Sequence, residues 1–263
     1  MPDVLDSQTD SGDTSESKLE SSSAETSEQL SFSLMARDPY AASYFVPHSG
    51  VASALNISES ALRLVKQDPN YFRLLYLCGP SGVGKTHFVS HFLKQAEVFG
   101  FEREKIEVFE FPPPKNLIQE NLPAGSENIS DIDFELLIAE FVSRYERRKT
   151  AGGIMLVISA VFPEELSSNP HLLSRLKTAE ISQLEYPREE EWEPIILSLA
   201  ERRNLRLSPR NIEYLVRRVP ASPLSFAAIL ARVDELSMTS GRPASFGVVR
   251  EAVQRDLSKK GNQ

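Results

Sequence analysis

The chain has 263 residues, of which 41% are apolar and 25% charged, a composition typical of a soluble globular protein and long enough for one large domain or two small ones. No run of about 18 or more apolar residues exists, which excludes a membrane-spanning helix, and the acidic, polar N-terminus has neither the basic nor the apolar region of a secretory signal. The net charge of −8 lies almost wholly in residues 1–30, which hold eight acidic residues and one lysine, so the remaining chain is close to neutral and carries no general bias toward nucleic acid. The single cysteine, Cys78, excludes an internal disulfide and a cysteine-based zinc site, and these features together lead us to expect a cytoplasmic protein.

Residues 1–28 are rich in Ser, Thr, Asp and Glu and cannot offset their ordering entropy by burial, so a disordered acidic tail is expected there. In residues 29–35, Leu30, Phe32 and Leu34 alternate. That spacing suits an extended peptide entering a groove, or a packing arm of the domain itself. Residues 36–50 read as an ordered connection, and 51–67 as a helix that stops before Asp68-Pro69-Asn70. An apolar strand spans 73–78. A helix covers 86–98, and Ile106 to Phe111 alternates with period two as a second strand, ended by Pro112-Pro113-Pro114. A short helix near Leu117–Asn121 and a loop come next. The spacing of Phe134, Leu137, Ile138, Phe141, Val142 and Tyr145 predicts a helix over 132–149. Ile154 to Ser159 is apolar enough for a central parallel strand, and a helix at 170–177 and a strand at 181–185 follow. From Pro187 onward only helical stripes occur, around Trp192, Ile212, Phe226 and Val249, with Trp192 read as core. The expected fold class is therefore α/β, a parallel sheet flanked by helices (36–186), followed by a small all-α region (187–258) and a short tail (259–263).

Between the first strand and its helix stands Gly79-Pro80-Ser81-Gly82-Val83-Gly84-Lys85-Thr86, which fits the pattern G-x-x-x-x-G-K-[ST] at every fixed position. The glycines allow a tight turn that brings backbone N–H groups onto phosphate oxygens, and the helix N-terminus adds its partial positive charge. Lys85 is expected to reach the β- and γ-phosphates, and the Thr86 hydroxyl to hold Mg²⁺. ATP or ADP is the expected ligand.

The loop continues into His87 and Phe88 as G-K-T-H-F, which resembles the G-K-T-H-L of the AAA+ ATPases of the bacterial replication initiator DnaA group. Phe45-Val46-Pro47-His48-Ser49 is similar to a segment that lies near the adenine in that family. The strand ending at Ser159, with Pro163 and Leu173-Ser174-Arg175-Leu176 after it, resembles the sensor 1 strand and the arginine-finger stretch. Gly241-Arg242-Pro243 and the run Phe246 to Ala252 look like the end of the helical lid. The likeness covers roughly residues 40–257 and is greatest to the short regulatory members of the Hda type. It implies a P-loop AAA+ domain with a lid, the DnaA initiator as a partner, and a possible homo-oligomer. It also implies that Gln29, Leu30, Phe32 and Leu34 bind the DNA polymerase sliding clamp, since Hda-type proteins carry a similar short peptide.

Some expected features are altered. The acids of a Walker B strand are sought around 126–135, where Asp131 and Asp133 are candidates, but both also suit the N-terminus of the following helix. Leu224 stands where a sensor 2 arginine is expected. Binding is thus expected without strong intrinsic hydrolysis, with Arg175 acting in trans on a neighbour's nucleotide or serving as a surface arginine. An autonomous ATPase of helicase-loader type is the alternative. Arg202, Arg203, Arg206, Arg210, Arg217 and Arg218 are interspersed with core positions, so direct DNA binding is not expected.

Overall fold

The computed structural model describes residues 44–114 and 131–260. Its centre is a sheet of four parallel strands, β1 (Phe72–Cys78), β2 (Ile106–Glu110), β3 (Gly153–Ile158) and β4 (Glu180–Gln183), in the order β2-β3-β1-β4. Each expected strand is present within two residues of its predicted ends. β3 is buried along its whole length, as a strand covered on both faces must be, and this is why its sequence lacks alternation.

Side chains of opposite parity divide the α/β core into two layers. Leu75, Leu77, Ile154 and Leu156 pack on α1 (Ala52–Gln67) and α2 (Lys85–Val98) through Leu62, Phe88 and Phe92. Leu74, Tyr76, Met155 and Val157 pack on α3 (Asp131–Ala151) and α5 (Pro170–Leu176) through Phe141, Tyr145, Leu172 and Leu176. The period of two in the strands and the i, i+3, i+4 spacing in the helices are what allow this division. The short helix α4 (Pro163–Leu166) precedes α5, whose start is fixed by Asn169: its side-chain oxygen accepts from the backbone N–H of His171 and Leu172.

The helical stripes after Pro187 form α6 (Trp192–Glu201), α7 (Pro209–Arg218), α8 (Pro223–Ser240) and α9 (Phe246–Lys260). Ser208 and Ser222 cap α7 and α8, each followed by a proline at the first helical position. Trp192, Ile196, Leu215, Phe226, Leu230 and Val249 fill the centre of this bundle, so Trp192 is core. Truncating Trp192 to alanine removes on the order of 3–5 kcal/mol.

The segment before α1 joins the two layers of the molecule to the bundle. Phe45 packs on the α/β core, whereas its neighbour Val46 packs on the bundle core. Ser198 Oγ on α6 donates to the Tyr44 carbonyl at 2.7 Å. The Glu191 carboxylate accepts from Ser49 N at 2.7 Å, Ser49 Oγ at 2.6 Å and Arg188 N at 2.8 Å. No helix among the described residues is long and apolar enough to cross a membrane. The short helix expected near 117–121 and the peptide at 29–34 lie outside the described residues.

Candidate nucleotide-binding site

β1 delivers the chain to the loop at its buried C-terminal end. Gly79 has φ +155°, and a Cβ there would lie 2.6 Å from the Leu184 carbonyl oxygen, so only glycine lets the chain leave the sheet at this point. Val83 is buried and anchors the loop from below, with its N–H donating to the Pro80 carbonyl at 3.3 Å. Gly84, at φ +106°, caps α2. Of the amides from Ser81 to Thr86, only that of Val83 donates to a protein acceptor among the described residues. Those of Ser81, Gly82, Gly84, Lys85 and Thr86 are the orphan donors of a loop and a helix start, and such donors need an acceptor.

Lys85 is half-buried on the first turn of α2. Its ammonium donates to the carbonyls of Gly79 at 2.5 Å and Pro80 at 2.9 Å. Burial pushes its pKa down, against the attraction of the Glu110 carboxylate, which favours the charged form. Glu110 is exposed at the end of β2, in register with Ile158 of β3. The carboxyl ends of β2, β3 and β1 thus present Glu110, Ser159 and Gly79 in spatial order, the place where open α/β sheets bind ligands. Thr86 follows Lys85 and is exposed.

Ser159 faces inward. It is 1% exposed, its hydroxyl accepts from Val161 N at 3.3 Å, and Tyr76 Oη donates to the Val161 carbonyl at 2.8 Å. Burial raises the Tyr76 phenol well above its ordinary range and the Cys78 thiol to about 11, so both remain protonated and inert beneath the loop.

An aromatic shelf borders α2. Phe45 stacks on His91 at 4.3 Å between ring centroids and meets His87 edge-on at 5.5 Å. Burial holds the pKa of His91 and of His48 below the ordinary histidine value, with Glu191 opposing the shift at His48.

No family model matches the chain. An uncharacterized protein of Haemophilus influenzae is 27% identical over 186 residues, 67% of this chain and 79% of that protein. Domain III of the Thermotoga maritima replication initiation protein DnaA is similar in structure, with a TM-score of 0.59 and 19% identity, covering 82% of this chain and 96% of that one. The Thermotoga maritima RuvB Holliday junction branch migration motor gives a TM-score of 0.52 at 17% identity, covering 76% and 67%. A replication initiator DnaA bound to AMPPCP and single-stranded DNA gives 0.54 at 18% identity, covering 84% and 68%. The chain shares the fold of these structures, a parallel sheet flanked by helices and followed by a helical bundle.

Leu224 of the bundle approaches the loop, and Tyr186, just before the bundle, bonds to it. A Cβ on Gly82 would lie 3.3 Å from Leu224 Cβ on the first turn of α8, and Tyr186 Oη donates to the Ser81 carbonyl at 2.9 Å. Asp131 and Asp133 occupy the first turn of α3, with Asp133 exposed. Arg175 is engaged at the α3–α5 interface: Nε and Nη2 donate to Glu146 Oε1 at 3.0 and 2.8 Å, Nη1 donates to the His171 carbonyl at 2.8 Å, and the guanidinium lies over Tyr145. Glu110 went unnoticed in the sequence. The signal was present, since an acid ends an apolar strand and prolines stop the chain directly after it.

Proposed function

We propose that this protein is a nucleotide-binding regulator of chromosomal replication initiation, of the Hda type within the DnaA group. The observation that carries the nucleotide reading is the set of orphan amides from Ser81 to Thr86 beside the half-buried ammonium of Lys85, a donor set that suits the phosphates of ATP or ADP. The residues fit Mg²⁺ as well: the Thr86 hydroxyl and the Glu110 carboxylate are the oxygen ligands such an ion prefers. Bound there, Mg²⁺ would neutralise phosphate charge. Calorimetric titration with ADP and ATP tests the site, and unchanged affinity in Lys85→Ala would refute it.

Gln29, Leu30, Phe32 and Leu34 dock on the sliding clamp, and the AAA+ domain meets that of the DnaA initiator. In that complex Arg175 would stabilise charge on the initiator's nucleotide, which requires Glu146 to release it. Intrinsic hydrolysis is weak, since the bundle offers Leu224 to the loop where a cation would serve. A clamp pull-down with wild type and Gln29→Ala/Leu30→Ala tests docking; equal retention of both, or of neither, removes it. The second reading, an autonomous ATPase of helicase-loader type, is favoured by Glu110, and steady turnover lost in Glu110→Gln would select it.

A further inference from the structure

The amides of the loop can meet a ligand only if their peptide planes are held the right way round. A trans peptide points its C=O and the N–H that follows in opposite directions, so whatever holds a carbonyl also aims the next amide. Three consecutive carbonyls of the loop are held. Those of Gly79 and Pro80 accept from the Lys85 ammonium, and that of Pro80 also accepts from Val83 N. The Ser81 carbonyl accepts from Tyr186 Oη at 2.9 Å, across 105 residues of chain. These two grips differ in kind. Lys85 must release its carbonyls before its ammonium can reach a phosphate, whereas Tyr186 holds the Ser81 carbonyl without being drawn to the ligand.

The backbone that carries Tyr186 is fixed at both sides. Leu184 N donates to the Cys78 carbonyl at 2.7 Å and Glu185 N to the Gly50 carbonyl at 3.0 Å, which ties the chain leaving β4 to the end of β1 and to the segment before α1. Gly50 presses directly on it: a Cβ there would lie 2.2 Å from the Glu185 carbonyl oxygen and 3.0 Å from that of Tyr186. The peptide that Tyr186 grips is one that needs holding. It precedes Gly82, which stands at φ +77°, and a glycine populates both signs of φ at similar cost, so an unheld peptide beside it turns over readily. Leu224 lies against the far side of Gly82 but offers no hydrogen bond. We propose that Tyr186 is a positioning residue of the nucleotide site, whose hydroxyl fixes the Ser81–Gly82 peptide so that the Gly82 N–H is turned away from the tyrosine and toward a phosphate oxygen. This rests on the nucleotide reading above and adds to the site a residue that lies outside the loop motif. Tyr186 is 37% exposed, so its single bond contributes little to the stability of the fold.

The test is stopped-flow binding of ADP carrying a ribose fluorophore to the full chain, wild type against Tyr186→Phe, which removes the hydroxyl alone. Affinity is expected to fall about three- to tenfold, the worth of one hydrogen bond. A loop that must first find its competent arrangement binds less often but lets go at the same rate, so the loss should lie in association, with dissociation changed by less than about twofold. The unfolding temperature of the nucleotide-free variant should stay within about 2 °C of wild type. Wild type that binds no ADP would overturn this proposal together with the nucleotide reading. Wild type that binds, with Tyr186→Phe equal to it, would remove Tyr186 alone. A loss carried by faster dissociation would place the hydroxyl on the ligand itself, and a larger fall in unfolding temperature would assign it to the fold; either result overturns the positioning role.

Discussion

On the α/β side, the loop carries orphan amides and the Lys85 ammonium, with the Glu110 carboxylate at the same edge of the sheet; on the other side, Leu224 of the bundle and the Tyr186 hydroxyl meet the loop. In the proposed function the first wall holds phosphate and a cation. The other covers it without adding charge. Binding needs only the first wall, while stabilising the charge that develops during phosphoryl transfer needs both. Under the proposed function, this contrast is what would let the protein keep a nucleotide without cleaving it.

The largest effect is expected from removing the polar wall. Lys85→Ala should weaken ADP and ATP binding more than hundredfold, about 3 kcal/mol, read by calorimetry. Giving the apolar wall a charge tests the contrast directly: Leu224→Arg should tighten ATP over ADP roughly tenfold, and an unchanged ratio would mean that the bundle never meets the terminal phosphate. Glu110→Gln should lower the Mg²⁺-dependent gain in nucleotide affinity by about tenfold, measured with and without chelator. Glu191 is smaller in effect. Its bonds to Ser49 and the Arg188 amide pull its pKa down to about 2, and Glu191→Gln should cost about 1 kcal/mol, lowering the melting temperature by roughly 2–4 °C.

The smallest effect is in pH. Burial lowers His48 and His91 below the ordinary value of 6.5. Below that pH the unfolded chain binds more protons than the folded one, so stability is full above about 6.5 and falls as the solution is acidified, levelling once the folded residues protonate. Thermal melts from pH 7.5 to 5.5 should show this decline, and His48→Asn/His91→Asn should flatten it.

The loop, the strands and the bundle helices were legible because each rests on local pattern: fixed glycines, alternation, and stripes of Phe134 to Tyr145 or of Ile212 and Leu215. What escaped depends on distant pairing. Glu110 enters the site because β2 lies beside β3, and strand order is not written in alternation. The grip on Arg175 comes from Glu146, on another helix, and the position of Leu224 over Gly82 joins residues far apart in the chain.

Phe45 and Val46 are consecutive residues whose side chains enter different cores. Neither core can melt without pulling the peptide bond between them out of register with the other. The two lobes therefore share one melting event, and calorimetry of the whole chain should give a single heat-absorption peak with equal calorimetric and van't Hoff enthalpies.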